Sequence, residues 1–295
     1  MSNIPTIDTN LFVPRKRRRY INRVVFTLGT LALLLLISPS VWIIGQVLVR
    51  AIPHFSFSVI TTNGVGLGGG LKNDIVGTTL ITAGVGVVAG TIGILTGIYL
   101  SQFATGQVAG LLRGASEVLA GIPSIVIGYV GYIALVVHFH WGFSLGAGLI
   151  TLSVMVIPYI AKTTEVSLRQ VPSSYTEGAE ALGFKPTRIL RLITIKSALP
   201  GIVTGMIVAL AISVGETAPL LYTAGYSQNM PHLAFTHSPV GYLTYAVWTF
   251  YNQPTVTAQR LSYDAAMLLI FMLLALIASS RIIVSRTQRH AETKG

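Results

Sequence analysis

Few side chains in this 295-residue sequence could do chemistry, and their types narrow what that chemistry could be. Glu216 is the most informative. It reads as the only acidic residue placed well inside a long apolar stretch, where an ionised side chain costs about 2.5–3.5 kcal/mol or more in a bilayer. Such a carboxylate needs a polar partner on a neighbouring helix, contact with water, or a proton. It could also recognise a ligand, since an anion that still carries a proton can donate a hydrogen bond to it, while a fully ionised anion is repelled. Ser213 and Thr217 flank it with neutral hydroxyls. Pro123 with Ser124, and Pro158, interrupt other apolar stretches and read either as hinges beside a cavity or as ordinary kinks.

Other patterns exclude more than they offer. Gly64, Gly66 and Gly69 have the spacing of a dinucleotide-binding turn, with Lys72 nearby. The strand-and-helix context of that motif is missing and no GK[ST] follows, so the segment reads as a flexible loop. His138 and His140 could share a metal, but no third ligand is near in sequence. Arg113 and Glu117 have the spacing of a local helical ion pair. The sequence has no cysteine, which excludes disulfides, thiolate metal sites and iron–sulfur clusters. No metalloprotease or serine-nucleophile motif is present, and the chain reads as a non-enzyme with no bound cofactor or metal of its own.

The elements that must position these residues are membrane helices. Charged residues make up 10% of the chain and hydrophobic ones 52%, with a mean hydropathy of +0.70. Soluble domains carry about 25% charge, so a soluble fold could not cover its surface. Six apolar stretches are long enough to span a bilayer: Val24–Val49, Ile75–Leu100, Val118–His138, Gly142–Ala161, Leu199–Leu221 and Ala265–Val284. The first follows Arg15–Arg19 and, being longer than a signal peptide's apolar region, reads as an uncleaved anchor. With both termini in the cytoplasm, 17 of the 20 Lys and Arg residues fall inside and only Arg50, Lys72 and Arg260 outside. That asymmetry sets the orientation, N-in and C-in, of an all-α multi-pass protein of the cell membrane, and it explains the net charge of +11 without nucleic acid. The organisation expected is a basic cytoplasmic tail (1–23), a transmembrane body (24–284) and a cytoplasmic tail (285–295). Gly86, Gly90, Gly93 and Gly97 in the second span should let neighbouring helices approach closely. The aromatic outer segment Tyr222–Ser262 should hold a short interfacial helix.

The cytoplasmic connection 162–198 is long and organised. Ser174 and Glu177 have capping-box spacing, which predicts a helix from Tyr175; Gly183 should end it, and Pro186 should open a second short helix. A solvated connector is the plain reading of such a loop. Yet Glu177-Gly178-Ala179, Gly183 six residues after the glutamate, and Leu199-Pro200-Gly201 resemble the EAA loop of bacterial ABC importer permeases, with Gly178 in place of the usual first alanine and Lys196 where many members have proline. The resemblance implies that Glu177, Ala179 and Gly183, with Pro200 and Gly201, couple the chain to a cytoplasmic ATPase. Three further stretches, GGLKNDIVGTTL (69–80), GIPSIVIGYVGY (121–132) and GETAPLLYTAG (215–225), look like the PstA-type permeases of the phosphate-specific transport system. That resemblance implies a type I importer architecture with a translocation path near Glu216, Thr217, Ser213, Pro123 and Ser124. It also implies a second, PstC-type permease, two copies of a PstB-type ATPase that uses ATP and magnesium, and an extracytoplasmic PstS-type phosphate-binding protein. Members of the family usually have arginine three residues before the glycine of GET, where this chain has Ile212. On this reading Glu216 distinguishes protonated phosphate from sulfate or closes a gate. A permease for another oxyanion such as molybdate, a proton-coupled secondary transporter using Glu216, and a non-transporting scaffold or sensor stand as alternatives.

Overall fold

The computed structural model describes residues 15–292. Residues 1–14 and 293–295, which hold the outer parts of both expected tails and Lys294, lie outside the described residues. Helix α1 runs from Arg15 to Ala51 and takes in the basic run that was expected to precede it. It forms a unit of its own, Met1–Arg50.

The second unit, Ala51–Gly295, carries everything else. A short turn α2 (Ser58–Thr61) and a hairpin of β1 (Gly64–Val65) and β2 (Gly68–Gly69) lead into α3 (Lys72–Gln102). Then follow α4 (Gly106–Gly121), α5 (Ser124–Gly131, continued to His138 in a wider π-type turn) and α6 (Leu145–Arg169). Beyond them lie α7 (Ser173–Ala181), α8 (Pro186–Ile189), α9 (Ile195–Gly215), α10 (Ala218–Thr223), α11 (Leu243–Tyr251) and α12 (Val256–Glu292). Among the described residues five helices are long and apolar enough to cross a membrane, and the pair α4–α5 makes a sixth crossing if its two arms count as one. By the charge count α3 begins outside and α6 ends inside.

The first and sixth helices extend beyond their apolar runs at both ends, and the third to fifth spans depart from theirs in other ways. The third is not one helix: α4 and α5 meet at a bend of 100°. Pro123 has no N–H to continue α4, and its ring holds Ile122 in the extended region (φ −74°, ψ 129°), so the helix must end and restart. The fourth begins at Leu145, where the Ser144 hydroxyl caps it by accepting from Ala147 N–H, and runs eight residues past Ala161 to Arg169. The fifth stops at Gly215, and α10 resumes after Glu216 and Thr217.

The core lies where α3, α6 and α9 meet, around Val85, Ala89, Leu152, Val156, Ile160 and Ala209. Lipid gives apolar side chains no reason to leave it, so tight packing must hold such helices together. The α3 glycines supply it as expected. Gly86 and Gly90 face Leu210 and Met206 of α9, while Gly93 and Gly97 face Ile160 and Thr164 of α6. A second cluster joins Leu71 to α11 and α12 through Leu243, Phe250, Leu261 and Ala265.

Candidate functional site

The break after α9 exposes peptide groups that a continuous helix would have paired internally. Glu216 is extended (φ −76°, ψ 130°) and half-buried. No ion pair among the described residues reaches its carboxylate, and its backbone carbonyl accepts from the Thr244 hydroxyl at 3.1 Å. Ser213 is buried and donates back to Leu210 O at 2.8 Å, so its hydroxyl keeps only acceptor capacity toward a ligand. Thr217 is half-buried at the start of α10.

Pro123 and Ser124 open α5, which packs side by side with α10. A Cβ on Gly128 would stand 2.7 Å from Pro219 Cα, and one on Gly131 would stand 3.1 Å from Thr223. The rings of Tyr129 and Tyr222 meet edge to face at 6.1 Å. The order of these contacts makes α5 and α10 parallel, which puts both helix breaks at the same end of the pair. The structure thus brings the two expected path segments together, although no hydrogen bond joins Glu216 to Pro123 or Ser124.

The cytoplasmic loop keeps part of its expected form. Helix α7 starts at Ser173, directly after Pro172, and has no side-chain cap, so the Ser174–Glu177 capping box does not form. Pro172, held at φ −58° and ψ 135°, sets the start two residues earlier than expected. Gly183 ends the helix in the left-handed conformation (φ +76°). Its N–H donates to Glu180 O at 2.8 Å and that of Phe184 to Ala179 O at 3.1 Å, the paired reversal a glycine allows. Pro186 opens α8, but α8 does not end as a separate knob. It passes through a π-type turn at Leu190–Thr194 into α9, so Pro186–Gly215 is one rod. Ala179 is buried against its own chain, while Glu177 and Leu182 are exposed, Leu182 at 77%. Pro200 lies inside the rod, and Gly201 lets α9 approach Ser167 of α6.

A helical cytoplasmic loop, paired helix breaks and five to six candidate spans among the described residues describe the body of the chain, and comparison with known proteins identifies its family. Residues 89–291 match the family model for the binding-protein-dependent transport system inner membrane component. A Mycobacterium bovis protein named phosphate transport system permease protein PstA 2 is 58% identical over 267 residues, 90% of this chain and 89% of its own. A Yersinia pestis protein named phosphate transport system permease protein PstA is 31% identical over 95% of this chain and 96% of its own. This chain belongs to the binding-protein-dependent inner-membrane permeases, in their PstA branch. The fold agrees: a chain of the MetNI methionine ABC transporter superposes with a TM-score of 0.60, covering 74% of this permease and 95% of that chain at 20% identity.

The permease buries acids that the sequence reading passed over. Glu216 is not the most enclosed of them: Asp74 is 0% exposed, and Glu165 and Asp264 are each 4% exposed. Arg113 does not pair with Glu117, its neighbour along α4. Its Nε donates to Glu165 Oε1 of α6 at 2.9 Å, and it also reaches Leu100 O at the end of α3 at 3.1 Å. Arg169 adds a second contact to Glu165 at 3.0 Å, and Glu117 turns to Lys162 at 3.7 Å. The 100° bend aims α4 across α6, so the buried acid outcompetes the local, solvated one. Arg113, Glu117, Lys162 and Glu165 line a cavity of about 170 Å³ with Leu100, Pro158 and Tyr159. The sequence shows the i,i+4 spacing of Glu165 and Arg169, but the apolar run that ends at Ala161 leaves both in the cytoplasmic connection.

At the other end of α3, the supposedly flexible glycine loop is a latched hairpin. Gln228 donates to Gly66 O at 2.6 Å and accepts from Gly66 N–H at 3.0 Å, while Gly64 N–H donates to Asn73 Oδ1 at 2.9 Å. Asn73 Nδ2 in turn donates to Asp74 Oδ1 at 3.1 Å and Ser227 O at 3.2 Å. Burial, and then the nearby Asp74 carboxyl, push the Tyr226 phenol above its usual range; burial does the same to Tyr242, helped by Tyr245 and Asp74.

Proposed function

We propose that this chain is the PstA-type permease of an ATP-driven importer of inorganic phosphate. The observation that carries the reading is the GETAPLL break seated beside the α5 break, in a chain whose relatives at 58% and 31% identity are named phosphate transport permeases. The permease would form the path with a second, PstC-type permease. Two PstB-type ATPase subunits, using ATP and magnesium, would drive it, and a PstS-type binding protein would deliver phosphate from outside. The α7–Gly183 turn would dock on one ATPase through Glu177, Leu182 and neighbouring residues. Because α8 and α9 are one rod, a push on that turn would reach Pro200, Gly201 and finally Glu216 without a flexible joint other than the π-type turn.

Within the path, Glu216 would accept a hydrogen bond from the proton that phosphate retains near neutral pH. Thr217 and Ser213 would flank it, and Pro123 and Ser124 would form the facing wall. A substrate biases the inward and outward states only by its difference in affinity for them, so the contact must change as the two breaks move.

Uptake of radiolabelled phosphate in phosphate-starved cells lacking the chain, with and without its restoration, tests this reading. Restored uptake should stop on ATP depletion and survive a protonophore when ATP is maintained. The opposite energetics would instead indicate a secondary transporter. Glu216→Gln should lower phosphate uptake and narrow discrimination against sulfate; a variant that matches wild type on both counts would remove Glu216 from the mechanism.

A further inference from the structure

One face of α9 stays open along its length. Beyond Gly201 the exposed residues of the helix are Thr204, Val208, Ile212 and Gly215. Successive members are three or four residues apart, which places them in one row, and the row ends at the Glu216 break. The neighbouring faces are occupied: Gly205 meets Thr163 of α6, and Met206 and Leu210 meet Gly90 and Gly86 of α3. Toward the cytoplasm the row opens into a cleft between α6, α9 and α12. Two adjoining cavities there, of about 450 and 410 Å³, share Thr204, Val208 and Val284. Lys162 of α6 lines the first and Arg281 of α12 the second. Charged side chains within a membrane body face protein or a water-filled cavity, because lipid does not solvate them.

The electrostatics of the cleft are one-sided. Arg281 has no ion pair among the described residues, and Lys162 has only the solvated Glu117 at 3.7 Å. Glu165, the other acid nearby, is already held by Arg113 and Arg169. Four cations thus stand against two carboxylates at this end of the chain. The hydroxyls of Thr163, Ser167 and Thr204 donate back along their own helices, so attraction of an anion falls to Lys162 and Arg281. A cleft lined by one sign of charge concentrates the opposite ion without needing a fixed binding site. Resting on the importer reading above, we propose that the Thr204–Val208–Ile212 row is the inner wall of the translocation path. Lys162 and Arg281 form its electropositive exit, which draws the transported anion from the Glu216 break toward the cytoplasm.

The chain has no cysteine, so each engineered thiol is the only one it carries. Thr204→Cys, Val208→Cys and Ile212→Cys, in the complete complex in nanodiscs, are treated with methanethiosulfonates bearing either a sulfonate or a trimethylammonium group. Modification of this chain is read by mass spectrometry, without nucleotide and with ATP. All three thiols should react in at least one of the two conditions, whereas Ala275→Cys, exposed on α12 between Phe271 and Ile282, should not. Reaction that stops at Thr204 would make the cleft a surface pocket, and three thiols as inert as that at 275 would mean a face covered by lipid or protein. Either result overturns the proposal. At Thr204→Cys the anionic reagent should be favoured, and Arg281→Gln or Lys162→Gln should lower the anionic-to-cationic rate ratio by about fivefold. Arg281→Lys should preserve it, and a ratio indifferent to both charges would remove them from the exit. The readout does not depend on the substrate. Expected thiol chemistry with restored uptake of a different anion would keep the exit and dismiss phosphate, while ATP-driven phosphate uptake with inert thiols would do the reverse.

Discussion

Glu165 should be the most costly polar side chain to remove from the cytoplasmic half of the permease. Its side chain is 5% exposed and takes Arg113 at 2.9 Å and Arg169 at 3.0 Å. Breaking a buried pair by removing one partner costs about 3–5 kcal/mol, because the other charge stays behind uncompensated. After Glu165→Gln that charge is Arg113, whose side chain is 31% exposed and still donates to Leu100 O. Water can therefore take up part of the loss, which places the cost near the lower bound, about 3 kcal/mol. Arg113→Met keeps the aliphatic stem and leaves Glu165 with Arg169, so it should cost less, about 2 kcal/mol. Arg169→Ala removes a half-exposed i,i+4 contact and should cost under about 1 kcal/mol. Glu117→Gln loosens only the solvated pair at 3.7 Å and should be close to neutral. Denaturant unfolding of the purified complex, with a double-mutant cycle between positions 113 and 165 and another between 113 and 117, measures all of these. A neutral Glu165→Gln, an Arg169→Ala as costly as Arg113→Met, or a larger coupling for 113–117 than for 113–165 would refute the reasoning.

The remaining expectations concern packing and coupling. Gly93→Ala puts a Cβ 2.7 Å from Ile160 Cβ and should destabilise by about 1–3 kcal/mol, whereas Gly86→Ala meets Leu210 at 3.4 Å and should be neutral or gain from helix propensity; equal unfolding midpoints for the two would contradict the close-approach account. Gly183→Ala strains a left-handed turn at φ +76° and should cost about 1 kcal/mol while uncoupling transported phosphate from ATP hydrolysed. Leu182→Asp alters a side chain that is 77% exposed, so the chain's own unfolding midpoint should stay unchanged while co-purification of the ATPase falls. Intact ATPase association would move the docking face elsewhere.

How much was legible depended on which force fixed each feature. Glycine-mediated approach and the left-handed Gly183 follow from spacing and local sterics, and the structure has them; the six expected spans are reached only when the bent α4–α5 pair counts as one. The third apolar run reads as one span because hydropathy does not register direction; Pro123 ends α4, and the 100° turn that follows carries α5 against α10. The buried acids were missed for a related reason. An apolar window stops at a charge, so the second span was begun at Ile75 and the sixth at Ala265, each one residue beyond the buried Asp74 and Asp264. Glu165 was lost in the same way when the fourth span was ended at Ala161. Arg113 was given the partner nearest in sequence, although an i,i+4 contact in water cannot compete with a carboxylate that the fold has already desolvated.

The position of Glu216 illustrates what spacing alone could not reveal. Its N–H reaches back to Ser213 O of α9 at 3.4 Å, but its carbonyl is held by the Thr244 hydroxyl, 28 residues later. Thr244 is placed by the start of α11, where Leu243 N–H donates to the Thr78 hydroxyl at 2.9 Å. That hydroxyl in turn donates to the Asp74 carbonyl at 2.8 Å, in the first turn of α3. A chain of hydrogen bonds and adjacent residues therefore joins the helix break to the first turn of α3. The stretches 69–80 and 215–225, which look unrelated along the chain, act on one another through it. On the proposed mechanism the break moves during transport, and it then cannot be rigid on both sides. Glu216 is anchored at its outer side by α11 and α3, so on the proposed mechanism the compliance lies below it, in α9 and the π-type turn at Leu190–Thr194 that leads back to the α7–Gly183 loop.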